Sequence, residues 1–160
     1  SEITAATPLV FEDKLSVTDL HLDAPYSEFA RSLMSQASEK VPEDLVTDFC
    51  AKNSRGHPVW SELQQRLNVR LLSRSKINHL FAGYQDHRPD GWDKFYAKYP
   101  HSPGIITVSR VGFNRSGDLA MVYVGSQRNW LDGSGQIHVL RKQNGEWVEQ
   151  NVRFGPSWVS

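Results

Sequence analysis

The sequence predicts an α+β fold in which N-terminal amphipathic helices pack on one face of a C-terminal antiparallel β-meander of about four strands. Three observations predict it. In Gly91 to Asn114 (GWDKFYAKYPHSPGIITVSRVGFN), Trp92, Phe95, Tyr96 and Tyr99 recur at helical spacing, and Ile105 to Val111 then turns β-branched and strand-like. The residues before that switch carry further helical stripes. The C-terminal third alternates strand-like runs with turn residues, and its Asn144-Gly145 pair is a strong short hairpin signal.

The elements follow in order along one domain: an extended lead over 1–22, a mainly helical stretch over 23–99, and the sheet over 104–160. Asp23 suits the cap of a helix whose apolar positions are Tyr26, Phe29, Ala30, Leu33, Met34 and Ala37. Pro42 suits the first turn of a second helix. Glu43 and Asp44 favour its positive end, and Leu45, Val46, Phe49 and Cys50 turn inward. A short helix is expected at Trp60 to Leu67, a lone strand at Val69 to Leu72, and a helix capped by Ser75 over Ile77, Leu80, Phe81 and Tyr84. Pro100 and Pro103 stop the aromatic helix. Strands are then expected at about 105–113, 119–127, 136–143 and 146–154, joined by NRSG, WLDGSG and NG. Leu119 to Val124 is apolar on both faces, so that strand is expected to be central.

A two-residue turn at Asn144-Gly145 sets the last register, with Leu140 facing Glu149, His138 facing Asn151 and Gln136 facing Arg153. One sheet face is thereby polar. The opposite face carries Ile137, Val139, Val148, Val152 and Phe154 toward the helices.

At 160 residues with 39% apolar and 22% charged composition, the chain reads as an ordinary globular domain. No apolar run reaches the roughly 20 residues of a membrane-spanning helix, and the N-terminus lacks a signal-peptide layout. The start at Ser1 without Met carries the expectation of a removed leader or tag. Net charge is zero but unevenly spread: residues 1–53 hold ten acids and four bases, and residues 54–160 hold eight acids and fourteen bases. Those bases are scattered without a Lys/Arg run, which argues against nucleic acid as a partner. Cys50 is the sole cysteine, so the chain forms no internal disulfide, and its helical neighbours Leu45, Val46 and Phe49 predict a buried thiol.

Chemical signatures are sparse. His79, Asp86 and His87, with His101 nearby, form the tightest histidine group but lack the spacing of a zinc motif, and no nucleophile elbow or phosphate loop occurs. No catalytic residue, metal ligand or cofactor is assigned. Two candidate binding sites stand out. The first is the polar sheet face of His138, Glu149, Asn151 and Arg153, where register gathers a base, an acid and hydrogen-bonding groups. The second is Trp130 at the start of a Gly-rich hairpin, which either stands at the tip, able to stack on a sugar or anchor a protein, or folds back to cover the sheet edge. Trp60, Trp92, Trp147 and Trp158 are expected in the core or at its rim.

The motif at Gly91 to Asn114 also carries a resemblance. From about Asp44 to Ser160 the chain resembles a group of mostly uncharacterised, exported bacterial proteins sharing GWxxFYxxYPxSxGIxxxSRVGFN. They continue with a strand like Met121 to Gly125, a Gly-rich hairpin like Asp132 to Gly135, an NGxW hairpin like Asn144 to Trp147 and a terminal WxS like Trp158 to Ser160. The resemblance implies export to the periplasm or medium and brings no established reaction. The element order is similar to cone-shaped domains of the nuclear transport factor two-like and cystatin-like kinds, folds with many functions. The leading expectation is a non-catalytic binding or protein-interaction domain of an exported bacterial protein, with another protein or a small polar ligand as partner. The alternatives are a small enzyme with a pocket between helices and sheet, using His138 and Glu149 as acid and base, and a structural module of a larger assembly.

Overall fold

The computed structural model of the protein describes residues 9–15, 26–54, 57–58, 68–82 and 90–154. The described residues form an α+β fold with strands β1 (Leu9–Glu12), β2 (Lys14–Leu15), β3 (His57–Pro58), β4 (Val69–Leu72), β5 (Ile105–Val108), β6 (Gly112–Phe113), β7 (Leu119–Asn129), β8 (Asp132–Gln143) and β9 (Glu146–Gln150). Helix α1 (Tyr26–Gln36), α2 (Glu43–Asn53), α3 (Arg74–Phe81) and α4 (Gly91–Lys98) complete it. Seven strands make one sheet in the order β4-β1-β5-β7-β8-β9, with β6 also on β7, and β2 pairs with β3 separately.

Four meander strands are therefore too few. The lead is not merely extended, because Val10 and Phe11 in β1 are buried and pair in parallel with β4 on one side and β5 on the other. Val69 to Leu72 is accordingly an edge strand with a partner rather than a lone one. Parallel pairs need long crossovers and leave no turn signature, which is why a reading based on hairpins misses them. The remaining pairs of the large sheet are antiparallel, and β7 lies between β5 and β8 as its apolar faces require.

Alternation along the ladder assigns the faces. Val10 lies opposite Ile105, Ile105 opposite Gln127, and Gln127 shares its side of β7 with Gly125, Tyr123, Met121 and Leu119. That face carries two apolar clusters. One joins Leu33 of α1 and Leu45, Val46 and Phe49 of α2 to Met121 and Val139, and the other joins Trp92 and Phe95 of α4 to Val10, Leu72 and Ile105. The helices thus divide into two pairs, and the second pair covers N-terminal strands that the sequence reading did not place in the sheet.

Helix starts are set locally. Pro42 is the cap of α2 rather than part of its first turn. Ser73, not Ser75, caps α3 and accepts from the Lys76 N–H at 3.2 Å. Asp90 and Asp93 close α4 with a reciprocal capping box. Gly91 opens that helix because the Phe81 ring sits where a β-carbon would go.

The β8–β9 turn has positive φ at both Asn144 and Gly145, as a type I′ turn requires, and it pairs Gln143 with Glu146 and Leu140 with Glu149. Pairing ends at Val139 with Gln150, so the expected contacts of His138 with Asn151 and Gln136 with Arg153 are not ladder pairs. The chain there turns to α1 instead: Ser38 donates its N–H to the Arg153 carbonyl at 2.7 Å, and Ala37 bridges Phe154. The WLDGSG loop shrinks to Trp130-Leu131, with Gly133 to Gly135 inside β8 opposite Gly125 to Gln127. Asn129 closes this turn by accepting from the Leu131 N–H at 2.8 Å. Val148 and Trp147 are each 41% exposed, against their expected place in the core or at its rim. The cap at Asp23, the helix at 60–67, Trp60 and Trp158 lie outside the described residues.

Candidate functional site

The polar face forms around one hydrogen-bonded pair. His138 and Glu149 are diagonal neighbours across β8 and β9, and His138 Nδ1 lies 2.5 Å from Glu149 Oε1. Glu149, Asn151 and Arg153 line a shallow groove of about 370 Å³ with Gln136. His138 stands beside this groove and is not part of its lining. Since His138 lies opposite Val122, it is on the face away from both helix pairs. A pocket between helices and sheet therefore cannot use His138 and Glu149 as its acid and base.

Such a pocket exists and has other residues. Between α3, α4 and the ends of β1, β5 and β7 lies a half-enclosed cleft of about 200 Å³. Its charged members are Glu12 and Arg74. The alternation that buries Val10 also turns Glu12 inward, leaving its side chain 7% exposed, and α3 begins two residues beyond the strand paired with β1, which delivers Arg74. Arg74 Nε lies 2.7 Å from Glu12 Oε1. Oε1 is sealed from water, so the carboxylate depends on the guanidinium for the charge compensation that solvent would otherwise give.

The aromatic wall comes from three segments. Phe81 lies between two indoles, 5.0 Å from Trp92 at an interplanar angle of 74° and 5.4 Å from Trp130 at 86°, both edge-to-face. Trp130 does not project from the hairpin tip. It folds back, and its Nε1–H donates to Asp90 Oδ2 at 2.5 Å, the same carboxylate whose Oδ1 accepts from the Trp92 N–H at 3.0 Å. Leu131, 83% exposed, occupies the tip. Thr107, Ser126 and Gln127 complete the polar lining. One donor stands out: the indole N–H of Trp92 is buried and has no acceptor among the described residues. A buried donor left unsatisfied costs about 1–3 kcal/mol.

Other titratable groups serve the frame. Cys50 is buried in the first cluster, and burial pushes its thiol up to about 11. Burial also raises the Tyr96 phenol, which donates to the Arg128 carbonyl at 2.9 Å. His79 and His101 are exposed, and Asp86 and His87 lie outside the described residues. No group of three His, Cys, Asp or Glu side chains converges among the described residues. No described helix is long and apolar enough to cross a membrane.

Of the five expected site residues, the structure brings Glu149, Asn151 and Arg153 to one groove, pairs His138 with Glu149, and moves Trp130 to a different site. Glu12, Arg74 and Trp92 were missed. One signal pointed to them: Glu12 ends the run Leu-Val-Phe two residues after Val10, which marks it as an acid on a buried face. Compared with family models, with curated proteins and with solved structures, the chain finds no match.

Proposed function

We propose that the protein is a non-catalytic binding domain and that the cleft between α3, α4 and the sheet receives a small polar ligand. The observation that carries this reading is the Glu12–Arg74 pair, its carboxylate almost wholly inside the protein, in the lining of a cleft whose other wall is the aromatic set of Phe81, Trp92 and Trp130. Apolar walls with a few convergent polar groups are the common form of a small-molecule site. Among the described residues the cleft lining contains one carboxylate and no imidazole, which supports holding a ligand over proton transfer. The resemblance to exported bacterial proteins fits a domain that meets its ligand outside the cytoplasm.

A second reading rests on the opposite face. The groove of Glu149, Asn151 and Arg153 beside His138, with the exposed Phe113–Trp147 ring pair at 5.8 Å, offers a surface for another protein.

A thermal-shift screen of small polar compounds separates the two. Compounds that stabilise the wild type are expected to lose their effect in Trp130→Ala and keep it in a His138→Ala/Arg153→Ala double variant. The opposite pattern would move the site to the sheet face, and no stabilising compound at all would count against the cleft.

A further inference from the structure

The lining of the cleft also restricts the kind of ligand, an inference that rests on the cleft being the binding site. Glu12 and Arg74 are its charged members and already face each other at 2.7 Å, so the described lining has no net charge. A ligand with a net charge would bring an unmatched charge against a buried carboxylate, which is costly. A zwitterion such as a free amino acid would have to separate the pair to use both halves of it. A neutral ligand bearing hydroxyls needs neither. Its oxygens accept from a guanidinium while its hydroxyls donate to a carboxylate, and bonds of this charge-assisted kind are the strong ones. The rings of Phe81, Trp92 and Trp130 add an apolar wall suited to aliphatic C–H groups. Thr107, Ser126 and Gln127 supply further hydroxyl and amide partners. At about 200 Å³ the cleft is smaller than the roughly 300–1,000 Å³ of sites for drug-sized molecules, which limits the ligand to about one ring.

We propose that the cleft binds a neutral monosaccharide, a single hydroxylated ring that places C–H groups against the aromatic wall and its hydroxyls against the Glu12–Arg74 pair. The Glu12–Arg74 pair orients it by accepting from one hydroxyl and donating to another.

The test is a titration followed by the indole N–H resonances of the intact protein. The probes are neutral hexoses and pentoses, with a uronic acid, an amino sugar and free amino acids as contrasts. At least one neutral sugar is expected to shift the Trp92 indole N–H, with a Kd of about 1 mM or tighter. Its affinity should change less than about twofold between low and high salt, because a neutral ligand has no ion pair to screen. Glu12→Gln should weaken it at least about tenfold, which is the size of a lost charge-assisted hydrogen bond. Trp130→Ala, at a partly exposed ring, should do likewise and serves as the test if Glu12→Gln prevents folding. Shifts from amino acids or the uronic acid without any from neutral sugars would overturn the ligand class and leave the cleft as the site. Sugar shifts that survive Trp130→Ala, or no shift from any probe, would overturn this inference, and the second result would also count against the cleft as a site.

Discussion

The two clusters under the helices share a sheet face and differ in how they treat buried polar groups. Beneath α1 and α2, Leu45, Val46, Phe49 and Met121 are fully buried, and the buried amide of Asn53 is hydrogen-bonded at both its nitrogen and its oxygen. It donates to the carbonyls of Phe49 and Arg110 at 2.8 and 3.0 Å and accepts from the Arg110 N–H at 2.9 Å. Beneath α3 and α4, the Trp92 indole N–H finds no acceptor among the described residues, and an inward acid meets an arginine at the edge of a cleft. The first half is finished as a core. The second leaves a buried donor without an acceptor among the described residues, so the two halves differ in how completely their buried polar groups are hydrogen-bonded.

The largest expected effect tests whether the first half is that core. Phe49→Ala should cost about 3–5 kcal/mol, from lost transfer energy and the cavity left behind. Urea unfolding measures it. Trp130→Ala in the second half should stay within about 1 kcal/mol, since its ring is 41% exposed and its hydrogen bond to Asp90 lies at the surface. Equal losses at the two sites would erase the distinction between a core and a binding wall.

Gly91→Ala sharpens the comparison from the other side. The added methyl meets the Phe81 ring, which is held between Trp92 and Trp130. Overpacking costs about 1–3 kcal/mol, and the better helix propensity of alanine returns at most about 1 kcal/mol. A net loss near 1 kcal/mol is expected, with a changed tryptophan emission because the displaced ring moves against both indoles. A variant at least as stable as the wild type, with unchanged emission, would mean that the wall is loose and that Phe81 does not shape the cleft.

These halves were unequally legible in the sequence. The helix of Trp92, Phe95 and Tyr96, the central strand from Leu119 and the Asn144-Gly145 turn are local patterns, and each emerged where its spacing placed it. Register from that turn also sets His138 beside Glu149, because side-chain alternation carries a few residues from a known hairpin, although it overran the end of the ladder at Asn151 and Arg153. The cleft depends on contacts without local marks. Glu12 and Arg74 meet only because β1 joins β4 in parallel, and Trp130 reaches Asp90 across 40 positions. A parallel pair of four-residue strands has no turn to announce it. The charge division between the chain's two parts gave no guide either, since the pair in the cleft takes its acid from one part and its base from the other.

The smallest expected effect concerns the rim of the first half, where Asp48 ties α2 to β6. Its Oδ2 accepts from Lys52 Nζ at 2.6 Å and from the Phe113 N–H at 2.7 Å. Burial acts to raise the carboxyl, but those two hydrogen bonds and the charges of Lys52 and Arg110 outweigh it and hold the group below its ordinary 3.8. The sign follows from linkage. A carboxyl with a lower pKa folded than unfolded adds stability that is complete above the unfolded value and is lost as pH falls through the folded one. The pair is partly exposed, so solvent keeps its worth under about 1 kcal/mol. Asp48→Asn should therefore be slightly less stable than the wild type at neutral pH, and the gap should close as pH falls below about 4. Paired urea curves from neutral to acid pH measure it. A gap that persists undiminished into acid would assign the link between α2 and β6 to the neutral hydrogen bond from Phe113, and the charge on Asp48 would then hold nothing in this half together.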